Sequence, residues 1–218
     1  MSGLVLPDSA AARATGCGAC RIAPSAMRNV GPILAQLEAH APKRGRALEL
    51  ASGTGQQVVR FAARRPGLVW QPTDLNPANL DSIEAWRMAA EMAHIRPARQ
   101  LDAAQPGWGA ELGPFDLIVE VNMLHLVSTT AARTILAEIG AALAPGGRAL
   151  LYGPFLRGGQ ATSPGDARFH ASLQAQAPDL GYKDVAWVEA ELKKAGLKMV
   201  CRMEMPANNL MLVAEQPR

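Results

Sequence analysis

Aromatic side chains are scarce: 218 residues hold four Phe, four Trp and two Tyr. A surface that stacks successive nucleic-acid bases needs more rings than that. Positive charge is also in short supply. Lys and Arg number 22 against 19 Asp and Glu, a net charge of +3. The basic groups (Lys43, Arg44, Arg46; Arg60, Arg64, Arg65; Lys193, Lys194) are separated by acidic residues. A nucleic-acid groove shows a denser basic stripe, so none is expected. No apolar run approaches the roughly 18 residues of a membrane span. The first twenty residues lack both a basic stretch and a sustained apolar one, so no signal peptide is expected. Three cysteines, an odd number, suit a reducing compartment. The expected location is cytoplasmic. Cys17 and Cys20 form a C-x-x-C with only Cys201 besides, too few for a Cys-rich zinc site. No metal is expected, and both thiols read as incidental. His40, His94 and His170 lack ligand spacing and read as surface residues.

What is present is a soluble composition, 49% apolar and 19% charged. Residues 1–23 have no period and read as a loose arm; 24–218 read as one domain. Apolar spacing predicts a helix over Ser25 to Ala39, capped by Ser25. A buried strand at Arg46–Leu50 then runs into a glycine turn, followed by a helix at Val58–Arg65. A second strand ends at Asp74 and a third near Asp102, with a helix from Asn76 to about Ala93 between them. Phe115–Val121 is continuous and β-branched, the clearest strand. A helix from Thr130 is stopped by Ala144-Pro-Gly-Gly, before a strand at Arg148–Tyr152. Residues 153–183 read as polar and mostly irregular, a lid-like insertion. A helix over Asp184–Lys194 precedes two terminal strands joined by a short turn. Strands alternating with helices predict an α/β fold: a Rossmann-like, mostly parallel sheet ending in an antiparallel hairpin.

The first strand ends in Glu49-Leu-Ala-Ser-Gly53-Thr-Gly55. Glycines there let the backbone turn sharply and approach a ligand. Asp74 ends the next strand, where an acidic residue can hold a ribose diol. Together they point to a nucleoside-containing cofactor. A dinucleotide site wants Gly or Ala at the third glycine position, for close packing beside a pyrophosphate. Val58 stands there instead, and Glu49 is an odd neighbour for phosphate. S-adenosyl-L-methionine has no phosphate and carries an ammonium and a sulfonium, which suit a nearby carboxylate.

Leu48-Glu-Leu-Ala-Ser-Gly-Thr-Gly55 resembles motif I of class I S-adenosylmethionine-dependent methyltransferases, with Ala51 in place of the usual first glycine. Ala23–Leu34, Trp70–Asp74, Val121–His125, Leu151–Phe155 and Met205–Leu210 resemble a methyltransferase family catalogued as domain of unknown function 938. The resemblance covers about residues 20–214. It implies a seven-stranded sheet with a terminal hairpin, and transfer of a methyl group in line to a small-molecule acceptor, leaving S-adenosyl-L-homocysteine. It places Gly53 and Gly55 at the methionine part of the cofactor, Asp74 at the ribose hydroxyls, Asp102 by the adenine amine, and Arg28 and Asn29 near the cofactor carboxylate. Glu49, Ala51, Ser52 and Leu75 complete the expected cofactor-binding set. Asn122 lines the transfer site on this reading. Relatives carry Trp-Gly-x-Arg-Asp where this chain has Leu180-Gly-Tyr-Lys-Asp184, so the acceptor half departs from the pattern.

For chemistry, His125 follows the fourth strand by one turn and has the ordinary pKa of a base near neutral pH. It faces the acceptor or bonds a neighbouring loop. Tyr152 contacts the acceptor or packs. Glu120 is expected to pair with a basic residue. Three other readings remain open. One is aminocarboxypropyl transfer, or a cyclase reaction, on the same cofactor, giving methylthioadenosine. Another is a nicotinamide-dependent oxidoreductase, and the last a non-catalytic cofactor-binding protein. Oligomeric state is not legible.

Overall fold

The computed structural model describes residues 13–14 and 18–218. Most of the expected arm, Cys17 of the C-x-x-C included, lies outside the described residues. Elements follow in the order β1 (Arg13–Ala14), β2 (Arg21–Ile22), α1 (Pro24–His40), β3 (Gly45–Leu50), α2 (Gln56–Arg64), β4 (Leu68–Asp74), α3 (Pro77–Ala90), β5 (Arg99–Gln100), α4 (Trp108–Leu112), β6 (Phe115–Val121), α5 (Thr129–Ala142), β7 (Leu143–Pro154), α6 (Pro164–Gln176), α7 (Val185–Lys194), β8 (Lys198–Glu204) and β9 (Asn209–Glu215). β1 and β2 pair as a short antiparallel ribbon. The other seven strands form one mixed sheet in the order β5-β4-β3-β6-β7-β9-β8. β3 pairs in parallel with β4, and β4 with β5. β9 runs antiparallel to both β7 and β8. The α/β sheet with a terminal antiparallel hairpin is the one the sequence predicts. Among the described residues, no helix is long and apolar enough to cross a membrane.

Chain packing forms two compact units: Met1–Asp102 with Phe115–Val119, and Ala103–Pro114 with Glu120–Arg218. In the first, Leu48, Leu50, Phe61, Leu68, Trp70 and Ile83 are fully buried. Phe61 and Trp70 meet with ring centroids 5.8 Å apart. Burying each such ring contributes roughly 2–3 kcal/mol. In the second, Ile135, Leu136, Ile139, Leu150, Leu151, Val188 and Leu192 form the core.

Helix starts follow local chemistry. The Asn76 side chain accepts from Ala78 N at 3.0 Å, and Pro77 supplies a first position that needs no N–H. Ser128 caps α5 and Asp184 caps α7 in the same way. Three expectations are corrected. α1 is capped by Ala23 rather than Ser25, because Pro24 occupies its first turn and the Ala23 backbone is held by Gln56. β7 does not wait for Arg148: Gly146 N donates to Gln216 O and Gln216 N to Gly147 O, so the Pro-Gly-Gly stretch is bound as extended chain. The stretch 153–183 holds an element the sequence did not predict, α6, capped by Ser163, whose hydroxyl accepts from Asp166 N at 3.2 Å. Only Leu173 of α6 is buried, so no apolar period marks it.

Candidate functional site

The site begins where β3 stops. Ala51, Gly53 and Gly55 all have positive φ, at 51°, 58° and 84°. Alternate residues in this conformation fold the chain back on itself. A side chain at Gly53 would meet nothing nearer than the Ala51 carbonyl at 4.0 Å, so this face of the turn is open. A side chain at Gly55 would strike the Ile83 backbone. Ala51, where motif I usually has glycine, bears the strain of a Cβ in the left-handed region, about 1 kcal/mol. Ala51→Gly should therefore stabilise the protein by roughly that amount, less a few tenths for the freer unfolded chain. Chemical denaturation reads the difference directly.

The turn is braced from β4. Ser52 N donates to Thr73 O, and the Thr73 hydroxyl donates to the Glu49 carbonyl at 2.8 Å. Gly53 N donates to Asp74 Oδ2 at 2.8 Å. Asp74 Oδ1 accepts from Asn76 N at 2.9 Å and from Asn79 Nδ2 at 3.0 Å. A carboxylate has about four acceptor sites, so Asp74 holds the turn and keeps one site for a ligand hydroxyl. Asn79 is held in turn by Arg21, whose guanidinium donates to Asn79 Oδ1 and to the Ala78 carbonyl. Arg21 N donates to the Ser82 hydroxyl, and Trp86 Nε1 donates to Arg21 O. Arg21, Asn79 and Gln56 thus shape the turn from outside the motif. Sequence reasoning missed them because polar side chains in helices and arms carry no spacing signal.

Glu49 is the anomaly. It is 1% exposed, and neither carboxyl oxygen has a hydrogen-bond partner. Burial pushes its pKa up to about 8; the Ser52 side chain opposes this and the Asp74 charge adds to it. A buried carboxyl without a partner costs free energy unless something arrives to meet it.

The other expected cofactor residues sit around this turn in different ways. Leu75 follows Asp74 and is 45% exposed, with its carbonyl accepting from Gln100 Nε2 at 3.1 Å. Asp102 is half-buried beside Leu101, whose N–H donates to Asp74 O. Arg28 is exposed on α1 and Asn29 is half-buried; neither side chain bonds the turn. Val58 is fully buried in the core.

In the second unit, Asn122 leaves β6 with φ 61° and donates its N–H to Tyr152 O at 2.8 Å. The Tyr152 hydroxyl accepts from Asn209 Nδ2 at 2.9 Å, and burial pushes the phenol pKa up. Glu120 does not pair with a basic residue. Its Oε1 accepts from Met123 N, capping the 3-10 turn Leu124–Leu126, and its Oε2 has no partner. Burial raises it to about 7, against the Met123 and Leu124 N–H groups.

His125 lies in that turn, 7% exposed. Its ring meets Phe169 and Tyr182 edge-on, both at 5.8 Å between centroids. Burial lowers its pKa to about 3, helped by the Lys183 charge. The imidazole is therefore neutral, and the ordinary poise of a base near pH 7 is absent. His170 is not a simple surface residue: its Nδ1 accepts from Tyr182 N at 2.9 Å. Lys183, a residue that sequence reasoning did not single out for chemistry, is buried beside this cluster.

Solved structures share the fold. An O-methyltransferase family protein from Burkholderia thailandensis superposes with a TM-score of 0.74 at 17% identity, over 89% of this chain and 57% of that one. An O-methyltransferase family 2 protein from Planctomyces limnophilus, solved with apigenin, gives 0.70 at 18% identity, over 88% and 59%. Human N-acetylserotonin methyltransferase, in complex with S-adenosylmethionine, gives 0.70 at 15%, over 89% and 53%. The chain thus spans between 53% and 59% of the length of these three proteins. A family profile described as protein of unknown function DUF938 matches residues 20–216. That match takes in the turn, the Asn122–His125 segment and the Asn209 hairpin alike, and the chain belongs to this family.

Proposed function

We propose that the protein is an S-adenosylmethionine-dependent methyltransferase acting on a small molecule. The observation that carries this reading is the buried, unpartnered Glu49 carboxyl beneath an open glycine turn. A cationic ligand satisfies it by drawing off its proton; a pyrophosphate, which brings only negative charge, does not. The remaining Asp74 acceptor site suits a ribose hydroxyl. Bound there, S-adenosylmethionine supplies an electrophilic methyl group on a sulfonium. In this reading Asp102 lies by the adenine, Leu75 also contacts the cofactor, and Arg28 and Asn29 approach the carboxylate from α1. Asn122 and Tyr152 line the acceptor side, with 153–183 as its cover within one 24–218 domain. Displacement at a methyl carbon needs alignment above all, and the braced turn supplies a fixed frame for it. His125, neutral and caged, contacts the acceptor rather than serving as a strong base. The three solved methyltransferases of this fold support the assignment.

Calorimetry with S-adenosylhomocysteine and with NADH tests it. The expected result is micromolar binding of the first and none of the second. Absence of binding by either S-adenosylmethionine or S-adenosylhomocysteine would overturn the proposal. Product analysis then separates the chemistries: S-adenosylhomocysteine means methyl transfer, whereas methylthioadenosine means aminocarboxypropyl transfer.

A further inference from the structure

Lys183 is 6% exposed, and its ammonium forms no ion pair among the described residues. It donates to Val127 O at 2.7 Å and to Gly181 O at 2.8 Å. An ammonium has three N–H donors. Two neutral carbonyls take two of them and offset none of the charge. Burying an uncompensated cation is costly, and the cost falls when an anion comes to meet it.

No carboxylate among the described residues contacts the ammonium. Asp166, joined to this cluster through the Tyr182 hydroxyl, already accepts from the Ser163 hydroxyl at 2.7 Å, from Asn208 Nδ2 at 2.9 Å and from the Tyr182 hydroxyl at 3.3 Å. Asp179 pulls on the ammonium only from a distance, without a contact. The rings that its charge reaches are those of His125 and His170. His125, Phe169 and Tyr182 form a triangle with centroids 5.8 to 6.0 Å apart. His125 and Tyr182 are buried, while Phe169 is only half-buried and forms the open side. Backbone contacts hold the cluster together: Gly181 N donates to His125 O, and Tyr182 N donates to His170 Nδ1. The arrangement is a positive charge whose field reaches His125, a ring that meets Phe169 and Tyr182 edge-on.

We propose that Lys183, with the rings of Phe169 and His125, forms a subsite for an aryl anion, the ionised oxygen resting on the ammonium and the ring on Phe169. Calling that anion the methyl acceptor rests on the transferase reading; the anion preference itself does not. The anion can be a carboxylate or a phenolate, and the two share the recognition chemistry of a charged oxygen on a flat ring. For methyl transfer to that oxygen, the anion needs no base: its lone pair forms the new O–CH3 bond as the S–CH3 bond breaks, and the electron pair stays on sulfur. No proton is left to remove, in keeping with a neutral His125.

The test compares benzoate, 4-nitrophenolate and the neutral isostere benzamide, each titrated into the intact protein with S-adenosylhomocysteine present and absent. The wild type should bind one or both anions roughly tenfold or more tightly than benzamide, as a charged hydrogen bond requires. Lys183→Met should remove that preference, Lys183→Arg should keep it, and both should bind S-adenosylhomocysteine as the wild type does. Benzoate alone, or nitrophenolate alone, identifies which oxygen the subsite takes. Equal binding of benzamide and the anions by the wild type overturns the proposal without any variant having to fold. So does failure of all three to bind at 10 mM or so, or an anion preference that survives in folded Lys183→Met. If the anion preference holds while S-adenosylhomocysteine fails to bind, the subsite stands and the transferase reading falls.

Discussion

Glu49→Gln should weaken S-adenosylmethionine binding by about a hundredfold or more, the cost of removing one partner from a buried charge pair. The same change should make the ligand-free protein more stable at neutral and mildly alkaline pH. The sign follows from the direction of the shift. The Glu49 pKa is raised from 4.5 to about 8, so the folded chain keeps a proton that the unfolded chain has released. The stability tied to that proton is complete below pH 4.5 and is lost as pH rises through 8. Wild-type stability should therefore fall across that window by an amount on the order of a few kcal/mol, and the glutamine variant should lack this fall. Cation binding favours the ionised carboxylate. Binding at pH 7 should thus release close to one proton, read as a dependence of calorimetric enthalpy on buffer ionisation. A variant that keeps wild-type affinity and the same proton release would remove Glu49 from the site.

Gly55→Ala should be the most destabilising single change in the turn. Its Cβ would stand 2.6 Å from Ile83 Cα, a backbone atom that cannot swing aside, and φ at 84° adds strain. The expected loss is about 3 kcal/mol, or roughly 10 °C in midpoint for a chain of this size. Gly53→Ala is the control. Its φ of 58° carries a similar local strain, but its Cβ meets only the Ala51 carbonyl, at 4.0 Å. It should cost about 1 kcal/mol and act chiefly on ligand affinity, because it fills the open face of the turn. Denaturation midpoints and S-adenosylhomocysteine titrations of the two variants separate a packing glycine from a ligand-facing one. Equal destabilisation by both would contradict this division.

The central sheet was legible because its strands carry their own signal. Phe115–Val121 is a β-branched run with a mostly buried pattern, and Glu49 through Asp74 follow the spacing of a strand–turn–helix–strand unit. α6 was not legible, since one buried residue in thirteen leaves no period. The start of β7 was not either: Pro-Gly-Gly reads as a stop, and only the distant Gln216 makes it extended. Sequence reasoning named Gly53, Gly55 and Asp74 together and they meet at one turn, but the state of the side chains there was not legible. Composition cannot show that Glu49 is unpartnered, that Asp74 spends three acceptor contacts on its own turn, or that Glu120 caps a turn instead of meeting a base. His125 was found by position and misjudged in poise, because the rings and the ammonium that lower its pKa come from residues more than forty positions away.

The Gln56 clamp on Ala23 has a consequence for how the turn can be watched. Gln56 accepts from Ala23 N through Oε1, which also takes the Thr54 hydroxyl, and donates to Ala23 O through Nε2. The Ala23 amide is therefore protected not by a helix but by a side chain at the base of the cofactor turn. Its hydrogen exchange reports the opening of that turn, not fraying of α1. Slower exchange at Ala23 when ligand is added gives a one-residue gauge of site closure.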